Sequence, residues 1–250
     1  MTILGCGTSS GVPSIAGGWG ACDPGDPRNR RRRVSVLVQT ADAAILIDTS
    51  PDLREQALDA DIRHLDAVLY THDHADHCHG IDDLRGIAYL TGGRIPVHGD
   101  PRTLDTLTTR FPYIFKGNRG YPALCDAVTI DGAFDVQQTR VMPFDQQHGP
   151  IRSLGYRIGS FAYSTDVNGL PEASFAALEG IDTWVVDGLR HEPHPTHAHL
   201  DLTLSWIARV RPRRAVLTHM TQDLDYETLR RWLPDGVEPG YDGMVLEVAE

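Results

Sequence analysis

The 250-residue sequence lacks any long apolar run. No stretch approaches the roughly 18 consecutive apolar residues that a membrane-spanning helix requires. The N-terminal segment MTILGCGTSSGVP has neither the basic start nor the apolar middle of a secretory signal. Hydrophobic residues nevertheless make up 41% of the chain, which is enough for a substantial core. We therefore expect a cytoplasmic protein without membrane contact.

Paired cysteines and excess positive charge are also missing. Cys6, Cys22, Cys78 and Cys125 form no CxxC pair, so they are expected to be free thiols rather than a disulfide framework. The net charge of −11 counts against general binding to nucleic acid backbones. One local exception is the basic run RNRRRR, Arg28 to Arg33. It is typical of a solvated loop, and a phosphate-facing or partner-facing role is the alternative.

Short β-branched runs alternate with helical stretches along the chain. VSVLVQ, AAILID, DAVLYT, DTWVVDG, RAVLTH and GMVLEVA indicate strands, whereas PDLREQALDA, HGIDDLRGIAYL, PEASFAALEG and LDLTLSWIARV indicate helices. Strands lead each half and helices follow, which predicts a mixed α/β (α+β) chain. Because no proline-rich or serine-rich linker interrupts it, we expect a single domain over residues 1–250.

The segment THDHADH, Thr71 to His77, holds three histidines and two aspartates directly after the apolar run LDAVLY. Histidine and aspartate supply nitrogen and oxygen ligands for zinc, manganese or iron. His72 and His74 can converge from an extended loop, while Asp76 and its neighbour begin the next helix. Two adjacent pairs suit two metal ions better than one. A solvated polar loop is the less favoured alternative.

Three further candidate ligands stand where apolar strands stop, namely His148, Asp166 and His219. Layered α/β folds commonly place their functional groups on loops at strand ends. Each of these residues alone could be a turn or surface residue. Together with the cluster they make seven ligands, which suits two metal ions with open positions.

These residues resemble the metallo-β-lactamase superfamily. THDHADH matches its HxHxDH signature, and the three later ligands follow in its order. Over essentially the whole chain, GTSSGVP, WGACDPGDPRNRRRR, LIDTSPDLR, HAHLDLTLSW and LTHM resemble the PhnP-like branch. The namesake of that branch is a phosphoribosyl cyclic phosphodiesterase of the carbon–phosphorus lyase pathway. The resemblance implies a four-layer αββα metallo-β-lactamase sandwich with the site at one edge of the two sheets.

The resemblance also implies two divalent metal ions, zinc or manganese, as cofactors. It assigns the ligands to two groups and a bridge: His72, His74 and His148 for one metal, Asp76, His77 and His219 for the other, and Asp166 for both. Asp48 would lie behind these ligands and steer the loop or one of the ligands. An ordinary aspartate at a strand end is the alternative for Asp48.

One stretch departs from the namesake. The namesake carries WGCxCxxC in its N-terminal loop and an extra histidine three residues after the last ligand, which together hold a structural zinc. Here the stretch is WGACDPGD, and Gln222 stands at the later position. Since only Cys22 remains, we expect no structural zinc at Cys22.

His199, in HAHLD at the start of a predicted helix, is the candidate general acid, because the resemblance places a general-acid or phosphate-contacting histidine there. A capping or surface histidine is the alternative. Asp76 is assigned to catalysis as well as to metal binding. Arg85, Arg190 and Tyr113 are weaker candidates for contact with substrate.

Two neighbouring metals can activate a shared water and clamp the oxygens of a phosphoryl centre. The predicted function is therefore a dinuclear metal-dependent phosphodiesterase that hydrolyses small phosphodiesters, in particular cyclic ribose or nucleotide phosphates. The alternatives are a tRNA 3′-processing endonuclease, a lactamase or thioester hydrolase of the same fold, and a non-catalytic metal-binding scaffold. The expected partner is a small phosphate ester, with nucleic acid disfavoured and a homodimer considered.

Overall fold

Two β-sheets packed face to face form the centre of the computed structural model, which describes residues 1–248. The first sheet holds strands in chain order: β1 (Thr2–Gly5), β2 (Ser35–Gln39), β3 (Ala44–Ile47), β4 (Ala67–Leu69), β5 (Ile95–Gly99) and β6 (Cys125–Thr129). Pairing is antiparallel from β1 to β3 and parallel from β3 to β6.

The second sheet contains the remaining strands: β7 (Phe134–Val136), β8 (Thr139–His148), β9 (Ile151–Ile158), β10 (Phe161–Ser164), β11 (Thr183–Asp187), β12 (Arg214–Thr218) and β13 (Val237–Pro239). Pairing is antiparallel from β7 to β10 and parallel from β10 to β13. Because neighbouring strands in each parallel set point the same way, their carboxyl ends lie along one edge of the sheet.

Helices cover the sheets: α1 (Leu53–Asp59), α2 (Ala75–Cys78), α3 (Leu84–Thr91), α4 (Pro101–Arg110), α5 (Pro112–Lys116), α6 (Glu172–Ala177), α7 (Leu200–Val210) and α8 (Tyr226–Trp232). Two short 3₁₀ turns, Pro27–Asn29 and His79–Asp83, complete the described helical segments. Within residues 1–248, no helix combines the length and the apolar character needed to cross a membrane.

The burial of alternate residues shows why the fold has four layers. In β3, Ile45 and Ile47 belong to the core between the sheets, whereas Leu46 packs into a second core with the helices. The second core includes Leu84 of α3 and Leu107 of α4. Both faces of the central strands are therefore apolar, as expected for parallel strands covered on each side. The predicted αββα architecture is confirmed.

The predicted last strand, GMVLEVA, differs from the structure. Within the described residues it forms only a single bridge, between Val245 and Thr2, and Ala249 lies outside the described residues. The edge strand of the second sheet is instead β13, in the sequence VEP. Proline cannot donate a backbone hydrogen bond and is confined largely to edge strands, so this segment gave no strand signal.

The arginine run Arg28–Arg33 is largely tied into the fold by ion pairs. Its pairs include Arg28 with Asp26 at 2.8 Å, Arg32 with Asp242 at 3.1 Å and Arg33 with Asp52 at 2.8 Å. Arg30 is exposed and lies over the ring of Trp19. The run is therefore neither a simple solvated loop nor a free basic patch.

Arg31 of this run is buried, with 1% of its surface exposed. Its Nη1 donates to the carbonyl oxygen of Thr221 at 3.0 Å, and its Nη2 donates to that of Leu224 at 2.6 Å. Both acceptors lie in the loop that follows His219. The guanidinium thus fastens this loop to the N-terminal loop.

Replacing Arg31 by methionine should lower the free energy of unfolding by about 3 kcal/mol, because two buried carbonyls lose a charged donor and such bonds contribute about 1.5–3 kcal/mol each. Urea denaturation would measure the change. Arg30→Met is the matched control, since its exposed side chain should matter little. Equal losses in the two variants would contradict a special role for Arg31.

Asp242 clamps the same region and makes it sensitive to pH. Its carboxylate accepts from the backbone N–H groups of Cys6 and Arg32 at 3.1 and 2.8 Å, and burial raises the pKa of Asp242 to about 6. Between about pH 4 and 6 the folded protein holds a proton that the unfolded chain has released. The stabilisation from this group, up to about 3 kcal/mol, is therefore lost as pH rises through that window.

We expect the difference in unfolding midpoint between wild type and Asp242→Asn to change across this window, since asparagine cannot ionise. Both proteins should be unfolded in urea at a series of pH values from about 4 to 7. A difference that is the same at every pH would show that Asp242 does not titrate in this range.

Candidate metal centre

Ligand-type side chains from both sheets meet at the edge where the parallel strands end. Asp48 directly follows β3, and His72 follows β4 after two residues. His148 closes β8, Asp166 follows β10, and His219 directly follows β12. The loop after β4 also joins the second sheet, because the backbone N–H of residue 154 donates to the carbonyl of residue 71 at 2.9 Å.

Two groups of ligand atoms share Asp166. Within each group the ligand atoms lie within 4.8 Å of one another: His72, His74, His148 and Asp166 in one, and Asp76, His77, Asp166 and His219 in the other. All seven residues expected as ligands are thus brought together, in the two sets that the resemblance implied.

The carboxylate of Asp166 points one oxygen at each group. Its Oδ2 lies 3.4 Å from His148 Nε2 and 3.7 Å from His72 Nε2. Its Oδ1 lies 3.0 Å from His77 Nε2 and 3.2 Å from His219 Nε2. A carboxylate held in this way can bridge two cations.

Several buried nitrogens at this site have no hydrogen-bond partner among the described residues. They are Nε2 of His72, Nε2 of His77 and both ring nitrogens of His219. A buried polar atom without a partner costs free energy, whereas imidazole nitrogens and carboxylate oxygens are the donors that divalent cations such as zinc accept. The donor set therefore fits a pair of divalent cations. His74 is exposed and marks the open side of the site.

The electrostatics also favour positive charge here. Burial alone would raise the pKa of Asp166, but the charges of His219 and His77 outweigh it and hold the pKa well below its usual range. Burial lowers the pKa of His72, which keeps this ligand neutral. Burial opposes a raised pKa at His219, yet Asp166 and Asp76 raise it to about 9. A cation binding at His219 would displace that proton.

Partners behind the ligands set their orientation. His77 Nδ1 donates to Asp48 Oδ2 at 2.7 Å, and Asp48 also accepts from the backbone N–H and the hydroxyl of Thr71, both at 2.8 Å. His148 Nδ1 donates to the carbonyl of Thr196 at 2.7 Å. Each bond leaves Nε2 free to face the cluster, as in metal sites with oriented histidines. Asp48 thus lies where the sequence interpretation expects it.

Three of these residues have left-handed backbone conformations. The φ angles are 61° at Asp48, 51° at Asp166 and 59° at His219. Such values are uncommon outside glycine, and strained residues cluster at functional sites. The turn at each strand end directs the side chain toward the edge where the two groups of ligands meet.

His199 does not enter the cluster. It precedes α7 as its N-cap residue, and its side chain forms no capping hydrogen bond. His197, two residues earlier, is the histidine that lies beside the cluster. Its Nε2 lies 3.8 Å from Asp166 Oδ2, and its ring stacks on that of His219 with the ring centres 4.6 Å apart. His197 Nδ1 donates to Asp187 Oδ2 at 3.1 Å.

The sequence interpretation treated His197 only as a loop residue that shapes the pocket, and it gave Asp187 no role. Asp187 could have been found from the sequence. It is the polar residue at the end of the apolar strand in DTWVVDG, and other residues of the site also stand at strand ends. Nothing in the spacing of HAHLD distinguishes His197 from His199, since the choice depends on how the loop turns before α7.

The three candidates for substrate contact, Arg85, Arg190 and Tyr113, lie in two different places. Arg190 folds back onto its own loop, donating to the carbonyls of Glu192 and Pro193 at 3.2 and 3.1 Å. Arg85 and Tyr113 lie together, with the guanidinium carbon 6.0 Å from the ring centre, and they line one pocket.

Cys22 is buried among backbone carbonyls. Its Sγ lies 3.4 Å from the carbonyl oxygen of Gln222, and Arg31 Nη1 lies 3.8 Å from the sulfur. Among residues 1–248, no group of three or more ligand-type side chains includes Cys22. The absence of a structural zinc stays a prediction, which metal analysis of the purified protein would test.

Comparison with known proteins agrees with this geometry. Residues 43–220 match the family model of the beta-lactamase superfamily domain. A crystal structure described as a new diphosphatase from the PhnP family superposes with a TM-score of 0.92 and 40% sequence identity, covering 99% of this chain and 97% of that one. This chain belongs to the PhnP family of the β-lactamase superfamily. The PhnP-like resemblance and the prediction of a hydrolase are confirmed.

Two curated relatives of this PhnP-family chain are named for other activities. An octanoyltransferase of Porphyromonas gingivalis is 37% identical over 251 residues, which cover 97% of this chain and 50% of that protein. A ribonuclease Z of Bradyrhizobium diazoefficiens is 31% identical over 166 residues, 62% of this chain and 48% of that protein. The chain spans about half the length of these curated relatives. The first name therefore does not assign octanoyl transfer to the matched half.

Proposed function

We propose that this protein is a dinuclear metal-dependent hydrolase of small phosphodiesters, with cyclic ribose or nucleotide phosphates as the preferred class. The observation that carries the proposal is the carboxylate of Asp166, whose two oxygens face two separate groups of ligands. This arrangement supports two adjacent cations, for which zinc and manganese are the candidates.

Two divalent cations bound there would supply stabilisation of the phosphoryl oxygens and a lowered pKa for bound water. The chain's own residues hold the ligands in place and move the protons. Asp76 holds one side of the second group, with its Oδ2 3.5 Å from His77 Nε2 and 3.7 Å from His219 Nε2. His74 belongs to the first group and is exposed, so the site is open to substrate on the side of that group.

We assign the general-acid role to His197 instead of His199. Asp187 accepts a hydrogen bond from His197 Nδ1, so Nε2 is the atom that faces the shared carboxylate and the substrate. When protonated, Nε2–H can donate to the oxygen of the departing group, and Asp187 stabilises the positive ring. A positioned acid of this kind typically contributes about 10²–10⁴-fold to the rate.

The distribution of charge supports a small substrate. The net charge is −11, and Arg28, Arg32 and Arg33 are neutralised by carboxylates of the fold. Binding to RNA depends on free cations that contact successive phosphates. A ribonuclease Z activity is therefore the less favoured reading, despite the 31% identity to one such enzyme.

A diphosphate diester is the second candidate substrate, favoured by the PhnP-family crystal structure described as a diphosphatase. Each phosphorus of such a molecule also carries two bridging oxygens, so the attacked centre is similar. The departing phosphate needs less help from an acid than a ribose alkoxide does, which separates the two substrates experimentally.

A substrate panel tests the proposal. We expect cyclic ribose or nucleotide phosphates to have a higher kcat/KM than precursor tRNA, with zinc or manganese at about 0.15 M salt, where the screening length is about 8 Å. A dinucleoside diphosphate belongs in the same panel. Faster cleavage of precursor tRNA, lost in Arg30→Ala, would overturn the proposal in favour of the endonuclease.

We also propose a cytoplasmic location, since all four cysteines are free thiols, as expected in a reducing compartment. A homodimer stays a prediction, which sedimentation of the purified protein would test.

A further inference from the structure

The pocket lined by Arg85 and Tyr113 has a volume of about 280 Å³ and lies in the helical layer over the first sheet. Its lining combines two guanidinium groups with two phenol rings: Arg85, Tyr113, Asn118, Arg119, Tyr121 and Pro122. Aromatic rings stack on nucleobases, and guanidinium groups pair with phosphate. This combination suits a ligand that carries both an aromatic ring and an anionic group.

Helix α4 contacts the loop that carries the metal ligands through its last residue, and α5, which follows it, supplies Tyr113 to the pocket. Arg110 Nη1 donates to the carbonyl of Asp73 at 3.1 Å, and Asp73 stands between two of the histidine ligands. The ring of His79 meets that of Phe111 edge-on at 5.8 Å. Tyr113 follows Arg110 by three residues, which span at most about 11 Å. This connection through α4 and α5 is the reason to test a substrate that carries two linked groups.

Arg119 supplies an uncompensated charge to this pocket. Among residues 1–248 its side chain has no ion pair or hydrogen bond, whereas Arg85 is balanced by Asp82 at 2.7 Å. Arg119 also has a φ of 45° in a tight turn, closed by the backbone bond from Tyr121 N to Asn118 O at 2.8 Å.

We propose that this pocket binds the nucleotide end of the substrate, with the base stacked on Tyr121 or Tyr113 and a phosphate held by Arg119. The inference rests on the proposed function and narrows it, because it selects nucleotide-bearing diesters among the small phosphodiesters. Tyr121 is 67% exposed, so its ring is available for stacking. The positive charge is local, since the chain as a whole carries −11.

Steady-state kinetics with two substrates test the proposal. Tyr121→Ala and Arg119→Ala should each raise the KM for a dinucleoside diphosphate by roughly tenfold or more, as loss of base stacking or of a phosphate contact does. Their kcat, and their kcat/KM for bis(p-nitrophenyl) phosphate, should stay at the wild-type value. Tyr121→Phe keeps the ring and should keep the KM.

Arg102→Ala is the matched control, because Arg102 is an exposed arginine of α4 outside the pocket. Equal KM values in Arg119→Ala, Tyr121→Ala and Arg102→Ala would overturn the proposal. A loss of kcat/KM for both substrates alike would overturn it too, since that result places these residues in general catalysis or folding.

Direct binding separates failure of the pocket from failure of the proposed function. Calorimetry should show AMP binding to Asp166→Asn, with roughly tenfold weaker binding once Tyr121→Ala is added. That result supports the pocket even if the wild type hydrolyses no phosphodiester. AMP binding that is the same with Tyr121→Ala and Tyr121→Phe would overturn the pocket, even if hydrolysis is found.

Discussion

Asp166→Asn is expected to lower both the metal content and the hydrolytic rate. The rate should fall by more than about 100-fold, because loss of a residue that merely supports a metal ligand already costs up to about 100-fold. The physical reason is the position of the carboxylate, whose two oxygens face different groups of histidines. Asparagine offers one oxygen and no negative charge. It can therefore neither bridge two cations nor balance their charge.

Elemental analysis of protein purified without chelator would measure this loss. The wild type should hold two divalent ions per chain, and Asp166→Asn one or none. Asp135→Asn is a suitable control, because Asp135 is an exposed aspartate that pairs with Arg140 on the surface. Two ions retained in Asp166→Asn, or one ion in the wild type after addition of zinc or manganese, would refute the bridging role.

His197→Ala is expected to lower kcat by about 10²–10⁴-fold with the metal content unchanged, as loss of a general acid does. His199→Ala should stay close to wild type, because His199 stands at the start of α7 and its side chain forms no capping hydrogen bond. Asp187→Asn should also lower kcat, since Asp187 accepts a hydrogen bond from His197 Nδ1 and thereby fixes which nitrogen faces the site.

The choice of leaving group distinguishes an acid from a positioning residue. The effect of His197→Ala should shrink for a nitrophenolate, which departs without protonation, and be largest for a ribose alkoxide. Equal losses for both would leave His197 with a positioning role only. Because His197, Asp187 and His219 also form a group of ligand-type atoms, loss of metal from His197→Ala would identify His197 as a ligand instead.

The seven residues that meet in the two groups could be predicted from the sequence, because each stands in the THDHADH cluster or at the end of an apolar strand. THDHADH places five ligand-type side chains in seven residues, so their proximity follows from chain connectivity alone. Asp166 and His219 each follow an apolar strand, and the carboxyl ends of parallel strands meet at one edge. The alternation of apolar runs likewise determined the layered α/β fold, because strands buried on both faces need helices over them.

Only the tertiary structure decided which residues surround these ligands. HAHLD contains two histidines, and the turn before α7 brings His197 rather than His199 to Asp166. The arginine run was predicted to be a solvated loop, yet Arg32 pairs with Asp242, which lies 210 residues away in the chain. Spacing along a sequence specifies which edge of a sheet a residue reaches. It does not specify the direction of a loop side chain or the distant carboxylate that neutralises it, because both depend on packing between segments far apart in the chain.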